Sequence, residues 1–184
     1  YSFTRRLIKD YYAKEDIEKK QKVRYINSYN LEKTTHHCYL LEMIRSRRII
    51  ENNFFNIYVC EGAFDTLTVR VALQNKCLAF SSGGATSTQD LIANRIMEVA
   101  EEVFRKTSKK LNIILLFDND QVGEKGQEKL YNLIKNCEYI NVYKNFVPLL
   151  LKNSKDINEA FTKDRETFIT NLQIIDKNLR GTII

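Results

Sequence analysis

Apolar and polar positions alternate along this chain with two different rhythms. Four short runs are apolar without alternation: the segments at Asn56–Cys60 (NIYVC), Lys76–Phe80 (KCLAF), Ile113–Phe117 (IILLF) and Tyr139–Tyr143 (YINVY). Such runs, rich in branched residues, read as strands buried on both faces of a parallel sheet. Between them the spacing turns helical. Phe64–Asn75 places Phe64, Leu67 and Val71, with Thr68 or Ala72, on one face, as in an amphipathic helix with that face inward. A longer helix follows to about Lys106, with Leu91, Ile92, Ile96, Val99, Ala100 and Val103 inward, and Ser87 with Asp90 supplies a capping-box start. Gly126–Asn136 reads as a third helix. Asp164–Asn178 reads as a terminal one that buries Phe168, Leu172 and Ile175. The order βαβαβαβ predicts an α/β fold: a mostly parallel sheet of about four strands flanked by helices, with right-handed crossovers.

The first 53 residues are less regular and form an N-terminal extension to a domain spanning 54–184. Lys22–Ser28 reads as a strand. Cys38–Ile50 carries apolar residues at helical spacing, with Arg45, Arg47 and Arg48 clustered. That cluster is balanced between a solvated helix face and contact with nucleic acid. A chain of 184 residues with 43% apolar content and one proline suits one domain, or one with an appendage. Its net charge of +6 favours polyanionic partners. No apolar run approaches the roughly 20 residues that span a bilayer, and no signal peptide is visible. Four cysteines without a CxxC pair read as buried thiols of a reducing, cytoplasmic compartment, an organelle remaining open. His36-His37-Cys38 lacks the second ligand pair of a zinc site.

The chemistry sits at the polar ends of the strands. The third run ends in Asp118-Asn119-Asp120, and Gly123 follows at the opening of a helix. Carboxylates at i and i+2 of an extended chain lie on one side, close enough to share a hard cation, although DxD also caps helices. The first run ends in Glu61-Gly62, with Asp65 at the start of the next helix. In open α/β sheets the ligand crevice lies beyond the carboxyl ends of the strands, so neighbouring strands would deliver Glu61, Asp118 and Asp120 to one edge. A third acidic stretch, Lys155-Asp156-Ile157-Asn158-Glu159, reads by itself as a helix start, with Asp156 as cap and Glu159 completing a capping box. Crowded carboxylates repel unless cations neutralise them, and an all-oxygen donor set suits Mg²⁺ or Mn²⁺.

EGAFD, FDNDQVG and KDINEAF, in that order, resemble the Toprim domain of bacterial and phage DNA primases and primase-helicases. The resemblance covers about Asn56 to Phe161. It implies Glu61, Asp118 and Asp120 as catalytic residues, with the same three and Asp156 as metal ligands. Asp65, Gly62, Gly123 and Lys155 would support them, and Arg45, Arg47 and Arg48 would touch nucleic acid. It implies metal-dependent synthesis of RNA primers on single-stranded DNA, from nucleotides, beside a replicative helicase in cis or in trans and with no membrane. Ile157 stands where the primases commonly carry proline. The K-D-x-N-E form also occurs in Toprim modules of plasmid and mobile-element proteins. A Toprim metal-dependent nuclease, or a nucleic-acid-binding module of such an element, are the alternatives. The stretch before Asn56 is short for a primase basic subdomain, so a fragment of a larger enzyme is expected, with weak priming by itself.

Overall fold

A computed structural model describes residues 4–6, 25–27, 38–83, 89–144, 150 and 154–181. Near the N-terminus, β1 (Thr4–Arg6) and β2 (Tyr25–Asn27) pair antiparallel, with Arg5 opposite Ile26. The main sheet comprises β3 (Asn56–Cys60), β4 (Leu78–Ser81), β5 (Leu111–Leu116) and β6 (Ile140–Tyr143). All of its pairings are parallel, in the order β4-β3-β5-β6. The helices are α1 (Ser46–Asn52), α2 (Ala63–Ala72), α3 (Gln89–Thr107), α4 (Gln121–Ile134), α5 (Ile157–Lys163) and α6 (Arg165–Gly181).

Because successive strand residues point to opposite faces, the central strands feed two cores. Ile57, Val59, Ile113, Leu115 and Phe117 face α1, α3 and α4, and meet Ile49, Ile92, Ile96, Leu130 and Ile134 there. Tyr58, Cys60, Ile114 and Leu116 face α2, α5 and α6, against Val69, Ile157, Phe168 and Leu172. Burial on both faces is why β3 and β5 read as unbroken apolar runs. The stretch from Cys38 to Ile49 packs into the first core through Cys38, Leu41, Ile44 and Ile49. It holds a short 3-10 turn at Leu41–Met43 before α1, where helical spacing predicts one helix. Leu40 has φ 66° and Ile44 is extended, so the helix is split.

Two predicted helix faces are corrected. In α2, Phe64, Leu67 and Val71 are 40%, 40% and 51% exposed, while Asp65, Thr66, Thr68, Val69 and Ala72 are buried. The threonines are hidden because their hydroxyls are satisfied: Thr66 donates to the Gly62 carbonyl and Thr68 to the Asn158 side chain. In α3, Leu91 is exposed and Ala93 takes the inward position. Ser87 and most of the glycine-rich turn before α3, together with His36 and His37, lie outside the described residues. Cys38 is a core residue whose Sγ lies 3.4 Å from the Ser82 carbonyl oxygen.

Opposite the strand ends that carry the carboxylates, a polar ladder docks the last helix. Asn56, Asn112 and Asn141 stand in register on β3, β5 and β6. Asn141 donates to Asn112, Asn112 to Asn56, and Asn56 to the Asp176 carboxylate on α6. Tyr58 and Arg180 donate to the same carboxylate at 2.7 Å each. Fully partnered networks of this kind fix one arrangement, because a slipped helix leaves several buried groups unpaired. Each of these strands carries an asparagine at or next to its first residue, but that the three line up shows only in the paired strands.

Candidate active site

The sheet order places a switch point between β3 and β5. From β3 the chain passes through α2 on one face to β4; from β5 it passes through α4 on the other face to β6. The loops diverge there and leave a crevice beyond the strand ends. β3 and β5 are hydrogen-bonded neighbours with Cys60 opposite Leu116. Glu61 comes one residue after that pair and Asp118 two residues after. Both are half-buried at the crevice.

The loops are tight for reasons of space. A Cβ on Gly123 would stand 2.3 Å from the Asp118 carbonyl oxygen and 2.9 Å from its nitrogen, so only glycine lets α4 start this close to the strand end. A Cβ on Gly62 would stand 2.7 Å from Asp65 Oδ2. Asp65, buried in the first turn of α2, accepts the Asn158 N–H at 3.1 Å. That bond ties the start of α5 to the first acidic loop. A second tie joins α5 to the other loop: the Asn119 N–H donates to the Lys155 carbonyl at 2.8 Å. Asn119 and Asn158 were not singled out from sequence, and no pattern announces hydrogen bonds from their backbone N–H groups across 36 or 93 positions.

Electrostatics separate the carboxylates. Burial, and then the charges of Glu61, Asp65 and Asp156, push the Asp118 acid up to about 7, against the pull of Lys155. Glu61 is raised by burial and by Asp120, with the Asp118 backbone N–H opposing. Asp65 is raised by burial, with the Asn158 N–H opposing. Asp120 goes the other way. Its Oδ1 accepts the N–H groups of Gly123 at 2.9 Å and Val122 at 3.0 Å, capping α4, and these bonds hold it low. Asp156 caps α5 by accepting the Glu159 N–H at 2.7 Å, and Glu159 in turn accepts the Lys155 N–H at 2.7 Å. Both capping readings of the sequence are therefore present, alongside the electrostatic coupling of these two residues to the crevice.

Glu61 Oε2 is buried and has no hydrogen-bond partner. A buried acceptor left without a donor is costly, and a cation or a proton would satisfy it. Among the described residues no three acidic, histidine or cysteine side chains form a ready metal cage. That arrangement still fits a magnesium-type ion, which is commonly held by one or two carboxylates plus water and substrate phosphates. Asp118 and Asp120 would hold it, Asp120 through the Oδ2 that rests 3.5 Å from the Lys155 ammonium, with Glu61 Oε2 open to the same ion or to a proton. Zinc does not suit this donor set, because no thiolate or imidazole of the described residues joins it.

Arg45, Arg47 and Arg48 lie on and just before α1, on elements other than those carrying the carboxylates. Arg47 pairs with Glu51 at 2.7 Å, Arg45 donates to the Glu42 carbonyl, and Arg48 lies 3.4 Å from Met43 Sδ. Among the described residues no helix is long and apolar enough to cross a membrane.

The model of the Toprim-like family matches residues 58–161, which takes in all three acidic stretches. No curated protein matches the chain. Among solved structures, it is similar to the primase fragment of the bacteriophage T7 primase-helicase protein, with 23% identity and a TM-score of 0.40 over 64% of this chain and 43% of that one. It is also similar to a chain in the complex of the bacteriophage T7 lagging-strand DNA polymerase with primase domains bound to an RNA/DNA hybrid and dTTP. There the identity is 23% and the TM-score 0.43, over 64% of this chain and 52% of that one. The chain thus spans about half the length of the solved chains it matches.

Proposed function

The chain belongs to the Toprim-like family, and from that premise we propose that it is the catalytic Toprim domain of a DNA primase, joining nucleotides into RNA primers on single-stranded DNA. The observation that carries this reading is the meeting of Glu61 and Asp118 at the β3–β5 switch point, one with an orphaned buried oxygen and the other with its acid near neutral. The division into an extension (1–53) and a Toprim domain (54–184) is part of the same proposal, as are a helicase partner and a cytoplasmic setting.

In the reaction proposed, a primer 3′-oxygen attacks the α-phosphorus of the incoming nucleotide, the bond to the β-phosphate oxygen breaks, and pyrophosphate leaves. Divalent ions, when bound, stabilise the attacking and leaving oxygens. Glu61 Oε2 takes the proton of the attacking hydroxyl, for which its raised acid suits it. Asp118 and Asp120 would hold the metal, and Asp65 positions α5 behind them. Arg45, Arg47 and Arg48 supply positive charge for the template strand.

The test is to incubate the full-length parent protein that carries this domain with single-stranded DNA, labelled ribonucleotides and Mg²⁺ or Mn²⁺. Short labelled oligonucleotides, lost in Glu61→Gln by at least about 100-fold as expected for a general base, are the predicted result. A shortened template, with no labelled product, would assign the site to a nuclease instead.

A further inference from the structure

Lys155 stands out at the crevice because its backbone is fixed and its tip is loosely held. Its carbonyl accepts the Asn119 N–H at 2.8 Å, and its N–H donates to Glu159 Oε2 at 2.7 Å. The next residue, Asp156, caps α5. Three constraints thus set where this side chain starts. Its ammonium, by contrast, reaches Asp120 Oδ2 at 3.5 Å, with both side chains substantially exposed (50% and 39%). Asp120 does not depend on that contact, since its other oxygen already accepts two backbone N–H groups. The ammonium is also among the charges that hold down Glu61 and Asp118. It is therefore a cation at the rim of an acidic crevice, tethered firmly at its root and exchangeable at its tip.

We infer that Lys155 is a resident counter-ion that releases Asp120 when a divalent cation enters and then binds a phosphate of the substrate. This rests on the metal-binding reading above and extends it to a residue with a two-state role. Once the carboxylates are neutralised by the ion, the attraction holding the ammonium at Asp120 weakens. A phosphate entering beside that ion then becomes its nearest partner, and a lysine ammonium meets phosphate well as a point charge. The phosphate belongs either to the triphosphate of a nucleotide or to the backbone of a nucleic-acid strand.

The test uses Lys155→Met, which keeps every backbone bond described, and Lys155→Arg, which keeps the charge. Mn²⁺ is titrated into each protein alone; tripolyphosphate and a thymidine oligonucleotide are then titrated separately into the Mn²⁺-loaded forms. In Lys155→Met, Mn²⁺ should bind a few-fold more tightly, because a competing charge has gone. One of the two phosphate ligands should bind about 10-fold more weakly, as for loss of a charged hydrogen bond, with partial recovery in Lys155→Arg. Loss confined to tripolyphosphate assigns the nucleotide; loss confined to the oligonucleotide assigns the strand. Unchanged affinity for both, or Mn²⁺ binding weakened in Lys155→Met, overturns the inference while leaving the metal site intact. Failure of the wild type to bind Mn²⁺ overturns the metal-site reading itself.

Discussion

Asp118 carries the strongest electrostatic signature at the crevice, and it has a consequence for stability. Its acid is raised to about 7, so the folded, metal-free protein keeps a proton that the unfolded chain has given up. Folding then binds protons, and stability falls as pH rises from about 4, the ordinary carboxylate value, to about 7. Glu61 and Asp65 are raised as well and act in the same direction. Asp120 is held low, so its contribution is lost at more acid pH, below that window. In EDTA the unfolding temperature should therefore decline between pH 5 and pH 8, and Asp118→Asn should flatten the decline. The variant should also be the more stable at pH 8, on the order of 1–2 kcal/mol once solvent screening at this half-exposed group is allowed for. A steeper decline in Asp118→Asn would show that the cost of burying a charge at Asp118 is not its source. Glu61, Asp118 and Asp120 were legible in the sequence as acids at strand ends, and Asp65 as an acid at the start of a helix. Their division into raised and lowered groups was not, because it depends on how deeply the fold buries each of them against the backbone N–H groups it accepts.

At the level of elements, the most sensitive joint is the one between β5 and α4. Gly123→Ala places a methyl group against the Asp118 backbone rather than against a flexible side chain. The helix has to shift, which should destabilise the fold by about 3 kcal/mol and weaken Mn²⁺ binding as well, read by denaturant midpoint and metal titration. Unchanged stability would mean that α4 starts farther from the strand than described. The strands and most helices followed from periodicity, because β3 and β5 are buried on both faces and α3 on one. The orientation of α2 did not follow. Its buried side is chosen by Asp65, which must reach Asn158, and by threonines whose hydroxyls bond within the structure. Polar residues satisfied in this way look exposed in a sequence. The asparagine ladder under α6 escaped for a related reason: register between strands appears only after they pair.

For the whole molecule, a net charge of +6 coexists with an acidic crevice, so the positive charge is carried elsewhere. If Arg47 and Arg48 meet a nucleic-acid strand, affinity for single-stranded DNA should fall steeply with salt, at about 0.7 in log–log slope for each phosphate contact. Arg47→Glu with Arg48→Glu should then lower both the affinity and the slope. An unchanged slope would leave Arg47 as the partner of Glu51 and nothing more.

Everything proposed for the crevice depends on a divalent ion being held between β3 and β5. The most direct measurement is a calorimetric Mn²⁺ titration of the wild type and of Asp118→Asn at pH 7.5, with thermal unfolding to verify that both are folded. Saturable binding by the wild type, weakened at least about 10-fold in the variant through loss of a ligand charge, is the result expected. Equal affinity in two folded proteins would contradict the assignment of Asp118, and with it the site.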